Sequence, residues 1–380
     1  MKTYKYLYSK MLDEDIIRAA WKKLRKGKTK RIEVQQIEAD FENEVKNIQE
    51  MIRNTKPPGV DVEHTELAFQ PKKKEPKIIY EHGKRREIYM PEIKEQWIHH
   101  IIVKILEPIL LKSAYPHSCG SVPGKGAHYG KRVIEKWLKK DPKNTRNFFK
   151  IDVRHFYSRI QIKLVIKKLS AFILDDWFLH VLAVCFTGFD IGIPLGFYLS
   201  QWLANFFLKD IDYYAKHKAK VPHFIRYLDD MIGFAASKKK LQEAIIGIMK
   251  ELGKKRLKLK RTYQVCKFEY LTKLGKLIGR PLDFMGFVFH RGRTIIRKRI
   301  MIESTRLAAK IAKEEKIFIN HARAMLSYMG WFSCTDTYNC YLKYIKPFVS
   351  IKKLKKIISK YDRRNHNDKL GKRNMLTAAA

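Results

Sequence analysis

Apolar positions along this chain recur with two periods, and the switches between them mark out its elements. Ile16, Ile17, Ala20, Trp21 and Leu24 follow at helical spacing behind Asp13, whose side chain can accept from the free amides of a first turn, and Gly27 stops the run. Val34, Ile37, Phe41, Val45, Ile48 and Ile52 predict a second helix over 33–52, ended by Pro57-Pro58-Gly59. A third is expected over 92–112, kinked or broken near Pro108, where a backbone donor is missing. Residues 78–91 read as two short strands about Glu81-His82-Gly83, and 148–152 as a strand that ends on the carboxylate of Asp152. Residues 225–234 read as a β-hairpin with Asp229 and Asp230 at its tip, because aromatic and aliphatic residues flank a pair that turns accept and strand interiors avoid. The most apolar run, 178–208, is interrupted by Asp190, Gly192, Pro194, Gly196, Gln201 and Asn205, so it predicts a buried strand, loop and helix and not a membrane span. Farther on, Arg291-Gly292-Arg293 and 297–299 read as a basic hairpin. Leu307, Ala308, Ile311, Ala312, Ala322, Leu326 and Met329 then predict helices, and the polar end, 365–380, is expected to be disordered.

Charge changes the picture more than composition does. Lys and Arg number 79 against 38 Asp and Glu, a net +41, in a chain of 380 residues that is 45% hydrophobic and therefore globular. Such an excess repels itself unless a polyanion is near, so nucleic acid is the first expected partner and an acidic membrane surface the second. Basic clusters at 22–30, 72–77, 238–240, 254–261 and 352–356 spread the charge along the chain, which points to a long basic groove and away from one detachable tail. Five cysteines, widely spaced and without a Cys-x-x-Cys pair, support neither a disulfide framework nor a zinc site, and fit a reducing cytoplasm. Met1 to Lys10 is too polar for a signal peptide.

Paired carboxylates are the candidate chemistry. Asp229 and Asp230 on a hairpin tip face a common point, which suits a divalent cation. Adjacency alone does not define a site: Asp175-Asp176 is a similar pair, yet 174–182 reads equally well as a helix with a polar face. A buried strand ending on Asp152 needs a partner for the carboxylate, either a cation or a helix to cap. The loop Ser118-Cys119-Gly120-Ser121-Val122-Pro123-Gly124-Lys125-Gly126 lets backbone amides approach phosphate and adds a lysine, but lacks the Gly-Lys-Ser/Thr spacing of a Walker loop.

Three segments, taken in order and spacing, resemble the palm motifs of reverse transcriptases. They are Asp152-Val153-Arg154-His155-Phe156-Tyr157, Pro194-Leu195-Gly196 with Ser200-Gln201 and Asn205, and Tyr227-Leu228-Asp229-Asp230. Flanking segments extend the resemblance: 86–91 to the first fingers motif, Pro123-Gly124-Lys125-Gly126 to the second, 257–263 to the lysine-bearing motif, and Phe284-Met285-Gly286-Phe287 to the primer grip. An aliphatic Leu195 before Gly196, where retroviral and group II intron enzymes usually carry glutamine, is similar to the enzymes of diversity-generating retroelements and related prophage reverse transcriptases.

The resemblance implies an α+β, right-hand polymerase fold: a helical extension (1–60), fingers (61–147), a palm with an antiparallel sheet and helices on one face (148–290), a helical thumb (291–362) and a polar tail (363–380). It implies two-metal nucleotidyl transfer with magnesium, or manganese in its place. Asp152, Val153 (through its carbonyl), Asp229 and Asp230 would hold the ions. Arg86, Lys125, Tyr157, Leu195, Gly196, Gln201 and Lys260 would meet the incoming nucleotide. Tyr157 would exclude ribonucleotides, and Lys260 would neutralise pyrophosphate. The implied partners are template RNA, the cDNA/RNA duplex, dNTPs and a small basic helical accessory protein, in a bacterial or phage-encoded cytoplasmic setting. Copying would be error-prone at template adenines. The length leaves no room for RNase H, endonuclease or integrase domains. A phage-defence or group II intron-related enzyme is the alternative within the family, and a non-catalytic basic RNA-binding scaffold the alternative outside it.

Overall fold

The computed structural model describes residues 2–60, 65–72, 75–81, 83–189 and 191–363, so the tail from 364 onward, His82 of the first expected turn and Asp190 lie outside it. The structure mixes helices with strands, consistent with the α+β class read from the sequence. The chain divides into two compact units, one made of residues 1–126 with 148–265 and the other of 127–147 with 266–380. No helix among the described residues is long and apolar enough to cross a membrane.

In the first unit the N-terminal helix starts where the cap was read: Asp13 accepts from the amides of Asp15 (2.8 Å) and Ile16 (3.4 Å), and Glu14–Leu24 follows. The single helix expected over 33–52 is two, Ile32–Ala39 and Phe41–Arg53, broken at Asp40 (φ −129°, ψ 49°). With the break, Val34 and Ile37 before it and Val45, Ile48 and Ile52 after it all reach the same core, while the Phe41 ring stacks on the buried Trp97 at 5.9 Å. One helix, Ile93–Lys112, starts from a Glu92/Glu95 capping box and continues through Pro108, so the proline does not break it. Pro108 and the residue four before it, Lys104, both lie on the exposed face, so water can take the freed carbonyl while Ile105, Leu106, Ile109 and Leu110 stay buried. The expected strand at the start of 178–208 is likewise a helix, Asp176–Val184, because Asp175 caps it through the Phe178 amide (3.0 Å) and Phe178, Leu179, Val181 and Leu182 repeat at helical spacing. Asp175 also accepts from the Tyr8 amide (2.9 Å), which accounts for that Asp pair without a site.

Strands β1 (Lys77–Glu81) and β2 (Lys84–Ile88) form an antiparallel hairpin with Ile79 opposite Arg86. The central sheet takes in β3 (Ser118–Cys119), β4 (Asn147–Asp152), β5 (His223–Tyr227), β6 (Asp230–Ala235) and β7 (Gln264–Lys267), in the order β3-β5-β6-β4-β7. Helix Lys238–Lys254 packs on β6. Where β4 and β6 meet, a Cβ on Gly233 would lie 2.4 Å from the Phe149 ring, so the middle of β6 has to be glycine for the sheet to close.

The second unit carries a three-stranded antiparallel sheet, Leu282–Phe284, Phe287–Phe289 and Thr294–Ile296, then helices Lys298–Ala312, Ile319–Phe332 and Tyr338–Tyr344 around a core of Ile296, Ala308, Ile311, Ala322, Met325 and Phe332. Arg291-Gly292-Arg293 does turn between two strands, but Lys298 and Arg299 begin the long helix in place of a basic hairpin arm. Arg291 points inward, donating to Thr145 Oγ1 (2.9 Å) and to the carbonyls of Leu138 (3.2 Å) and Thr145 (3.1 Å) over the Phe268 ring. It is a structural cation, not a free one.

Gly233→Ala is expected to destabilise the fold by about 1–3 kcal/mol through overpacking. Phe149→Leu should recover part of that loss in a double-mutant cycle read by chemical denaturation. Additive single effects would mean that the two side chains do not compete for the same space.

Candidate active site

The β5–β6 hairpin closes through the two residues Leu228 and Asp229, with Tyr227 opposite Asp230. Leu228 adopts φ 55°, a left-handed conformation costly for a residue with a branched side chain. Asp229 sits at the tip and Asp230 opens β6. Strand β4 runs beside β6 and ends on Asp152, and the next residue ties the two ends together: the Val153 amide donates to the Asp229 carbonyl at 3.3 Å. A second main-chain link sets the register of the lysine-rich segment. Val153 bridges Leu259 antiparallel, with the Lys260 amide donating to the Asp152 carbonyl (2.9 Å) and the Arg154 amide to that of Lys258 (2.8 Å). Among the lysines of 254–260 this register selects Lys260, whose ammonium ion-pairs with Asp152 Oδ2.

These carboxylates feel one another. Burial, then the charge of Asp152, holds Asp229 above the usual carboxylate range. Asp230 is pushed up to about 6 by burial, then by Asp152 and Asp229. The other oxygen of Asp152, Oδ1, is buried with no hydrogen-bond partner. Among the described residues no three His, Cys, Asp or Glu side chains converge as a ready-made metal cage, and Asp152 is paired with Lys260. The donor chemistry nevertheless fits a divalent cation: hard oxygen ligands, one of them orphaned, and like charges that a cation would neutralise.

Beside the carboxylates opens a cleft of roughly 800 Å³, lined among others by Arg86, His155, Tyr157, Leu195, Asp229 and Lys260. Arg86 pairs with Glu81 (2.7 Å) and lies near enough to draw the Asp229 pKa down. Burial, then Asp229, pushes the Tyr157 hydroxyl up to about 12, and the Tyr157 carbonyl accepts from the Ile193 amide (2.8 Å). Leu195 is held by its carbonyl, which accepts from the Tyr89 amide (2.8 Å). Gly196 is needed there, because at φ 104° a Cβ would stand 2.1 Å from the Tyr89 carbonyl oxygen. Thus the 194–196 loop and the end of β2 dock backbone to backbone.

Asp152 and Asp230 sit behind Asp229 and do not line the cleft, nor does Gly196 beside Leu195, and two more of the expected residues stand farther off. Lys125 is half-buried in its loop near Cys119, and Gln201 is exposed on helix Tyr198–Phe207, whose inward positions are taken by Leu199, Ser200, Trp202 and Leu203. In the second unit Phe284 and Phe287 flank a tight turn with Met285 at φ 52° and Gly286 at φ 87°, and a Cβ on Gly286 would meet the Trp331 ring at 2.6 Å. Sequence reading passed over two positions. One is His155, in the cleft at φ 51°. The other is Arg226, 1% exposed, paired to Asp212 at 2.7 Å and bonded to Asn205, Ser118 and the Leu228 carbonyl. A lone arginine in the apolar run of β5 was the available signal, since a charge there demands a buried partner.

No curated protein matches the sequence. Among solved structures, the chain is similar to telomerase from Candida albicans in complex with a fragment of telomeric RNA, at 12% identity and a TM-score of 0.43 over 71% of this chain and 54% of that one. It is similar also to apo telomerase from Candida tropicalis, at 14% identity and a TM-score of 0.48 over 73% and 54%. The chain therefore spans about half the length of these structures. The family model "Reverse transcriptase (RNA-dependent DNA polymerase)" matches residues 70–288, more than half of the chain and the whole stretch from β2 to the Phe284–Phe287 turn, so the chain belongs to the reverse transcriptase family.

Proposed function

We propose that this chain is an RNA-directed DNA polymerase whose centre is Asp152, Asp229 and Asp230. The carrying observation is the main-chain link from Val153 to Asp229, which fastens the end of β4, and Asp152 with it, to the hairpin tip, where Asp229 lines the cleft. In this reading residues 61–147 act as fingers, 148–290 as palm and 291–362 as thumb, with 1–60 as a helical extension. Divalent cations held by the three aspartates and the Val153 carbonyl would activate the primer hydroxyl and neutralise charge on the transferred phosphoryl group. The bridge to Leu259 is made by the flanking residues, so it does not consume that carbonyl. Arg86 and Lys260 supply positive charge on the cleft walls for the triphosphate, Lys260 by exchanging Asp152 for phosphate. Tyr157 crowds the sugar. Lys125 and Gln201 enter only through loop or substrate rearrangement, and Phe284–Phe287 would steady the primer.

The finer assignment, a mutagenic enzyme of a diversity-generating retroelement with an accessory protein and a dedicated template RNA, is supported by Leu195 in the cleft wall. An aliphatic side chain there gives the nucleotide no polar contact, which loosens geometric selection.

Purified protein should extend a primer on RNA with Mg²⁺ or Mn²⁺, and Asp229→Asn with Asp230→Asn should lower the rate by about 10³-fold or more, some 4 kcal/mol of barrier. Extension by the double variant at the parental rate would leave only a nucleic-acid-binding scaffold. Leu195→Gln is expected to reduce misincorporation opposite template adenine severalfold. An unchanged error spectrum would remove the retroelement reading and leave the polymerase intact.

Stability against pH gives an independent check. A carboxylate whose pKa rises on folding keeps its proton in the folded chain where the unfolded chain has lost it, so metal-free stability falls as pH rises from 3.8 through about 6. The loss is on the order of 1–3 kcal/mol. Mg²⁺ should recover it above pH 6 and do little near pH 4. Asp230→Asn should flatten the decline and remove most of the recovery in thermal melts. A metal response independent of pH would contradict this account of the carboxylates.

A further inference from the structure

Resting on the polymerase reading, we propose that Arg226 is the positioning residue that fixes the Asp229-Asp230 tip in its metal-binding geometry and couples it to the loop bearing Lys125. Arg226 and Asp212 are each 1% exposed. The guanidinium spends all its donors: Nε and Nη2 on the two Asp212 oxygens (both 2.7 Å), Nη2 also on Ser118 Oγ (2.7 Å) and the Asn205 carbonyl (3.3 Å), and Nη1 on Asn205 Oδ1 and the Leu228 carbonyl (both 3.0 Å).

Burying such a pair carries a desolvation penalty of several kcal/mol per ion, and well-packed apolar side chains would often hold strand and helix together as well or better. Apolar side chains could not, however, bond the carbonyl of a turn residue. Leu228 is held at φ 55° from both ends, by its amide donating to the Cys119 carbonyl (3.1 Å) and by its carbonyl accepting from Arg226. Released from that hold, a leucine would leave the left-handed region, and the peptide it shares with Asp229 would rotate. Main-chain links hold the tip in place, and one N–H of Arg226 adds the hold on the peptide that orients the carboxylates.

The same side chain reaches the glycine-rich loop. Asn205, which accepts from Arg226, donates through Nδ2 to the Gly120 carbonyl (3.0 Å), and the Gly120 amide donates to the Lys125 carbonyl (2.9 Å). One guanidinium thus sets the hairpin tip through Leu228 and the loop through Asn205.

Arg226→Lys tests this, because lysine keeps the charge beside Asp212 and lacks the planar fork. Folding is monitored by circular dichroism. The Mn²⁺ concentration for half-maximal primer extension should rise roughly 5- to 10-fold, the cost of an ordinary hydrogen bond, and the Mn²⁺-induced rise in thermal midpoint should shrink in parallel. Adding Leu228→Gly should restore most of the metal response, since glycine takes positive φ without being held. A variant that only melts earlier, with its metal requirement unchanged and no rescue by Leu228→Gly, would overturn the proposal. Should Arg226→Lys fail to fold, Ser118→Ala removes one acceptor and leaves the Asp212 pair. It should raise the metal requirement two- to threefold, and no change would count against the role. If the parental protein extends no primer, the polymerase reading fails, while the Mn²⁺ thermal shifts of the variants still decide whether Arg226 sets the tip.

Discussion

Everything at the site depends on holding like charges together. Asp152, Asp229 and Asp230 would move apart if free, and burial makes their repulsion worse by excluding the water that would screen it. The fold prevents separation with bonds that carry no net charge: the Val153 amide on the Asp229 carbonyl, the antiparallel bridge from Val153 to Leu259, and the two-residue turn of the β5–β6 hairpin. Main-chain links of this kind do not weaken when a side chain titrates or an ion arrives. The charged partner of Asp152, now Lys260, could therefore be exchanged without moving the backbone that presents the carboxylates.

Glycine appears where that backbone comes closest to its neighbours. Gly233 lets β6 lie against Phe149, and Gly196 lets the 194–196 loop lie against the Tyr89 carbonyl. In both places the missing Cβ is a distance requirement, and both distances end at the cleft: the first sets how near β4 and β6 bring their carboxylates, the second sets where Leu195 meets β2 and so where Arg86 stands. Sheet packing and cleft shape are one geometry seen from two sides.

What could be read from the sequence divides by the range of the forces involved. The Asp13 cap, the hairpin with acidic residues at its tip, and the strand ending on Asp152 follow from local preferences, and each is where the pattern placed it. The break at Asp40 and the unbroken helix through Pro108 do not, because they are decided by which faces the rest of the unit leaves to be buried: Trp97 claims Phe41, and the exposed side of Ile93–Lys112 tolerates a proline. Arg291 counted as a basic-surface residue in sequence and turns inward to Thr145. Arg226 gave a readable signal, a charge in an apolar strand, but its partners lie 14, 21 and 108 positions away and no local pattern names them. The lysine run at 254–260 shows the same limit, since only the pairing of 152–154 with 258–260 decides which ammonium faces the acids.

The bulk charge and the acidic cluster make opposite demands on the surroundings. A chain at +41 draws phosphate from a distance and repels free cations, whereas three crowded carboxylates favour positive charge at short range. The two reconcile only when both arrive. A bound polyanion lowers the local positive potential, and cations then reach the acids at less electrostatic cost, so nucleic acid and metal should favour each other's binding through the field alone, before any shared ligand is considered. Lys260 sits at that junction, paired to Asp152 and lining the cleft. An incoming phosphate that takes up this ammonium would free an Asp152 oxygen for a cation, turning the long-range attraction for nucleic acid into a short-range site for metal.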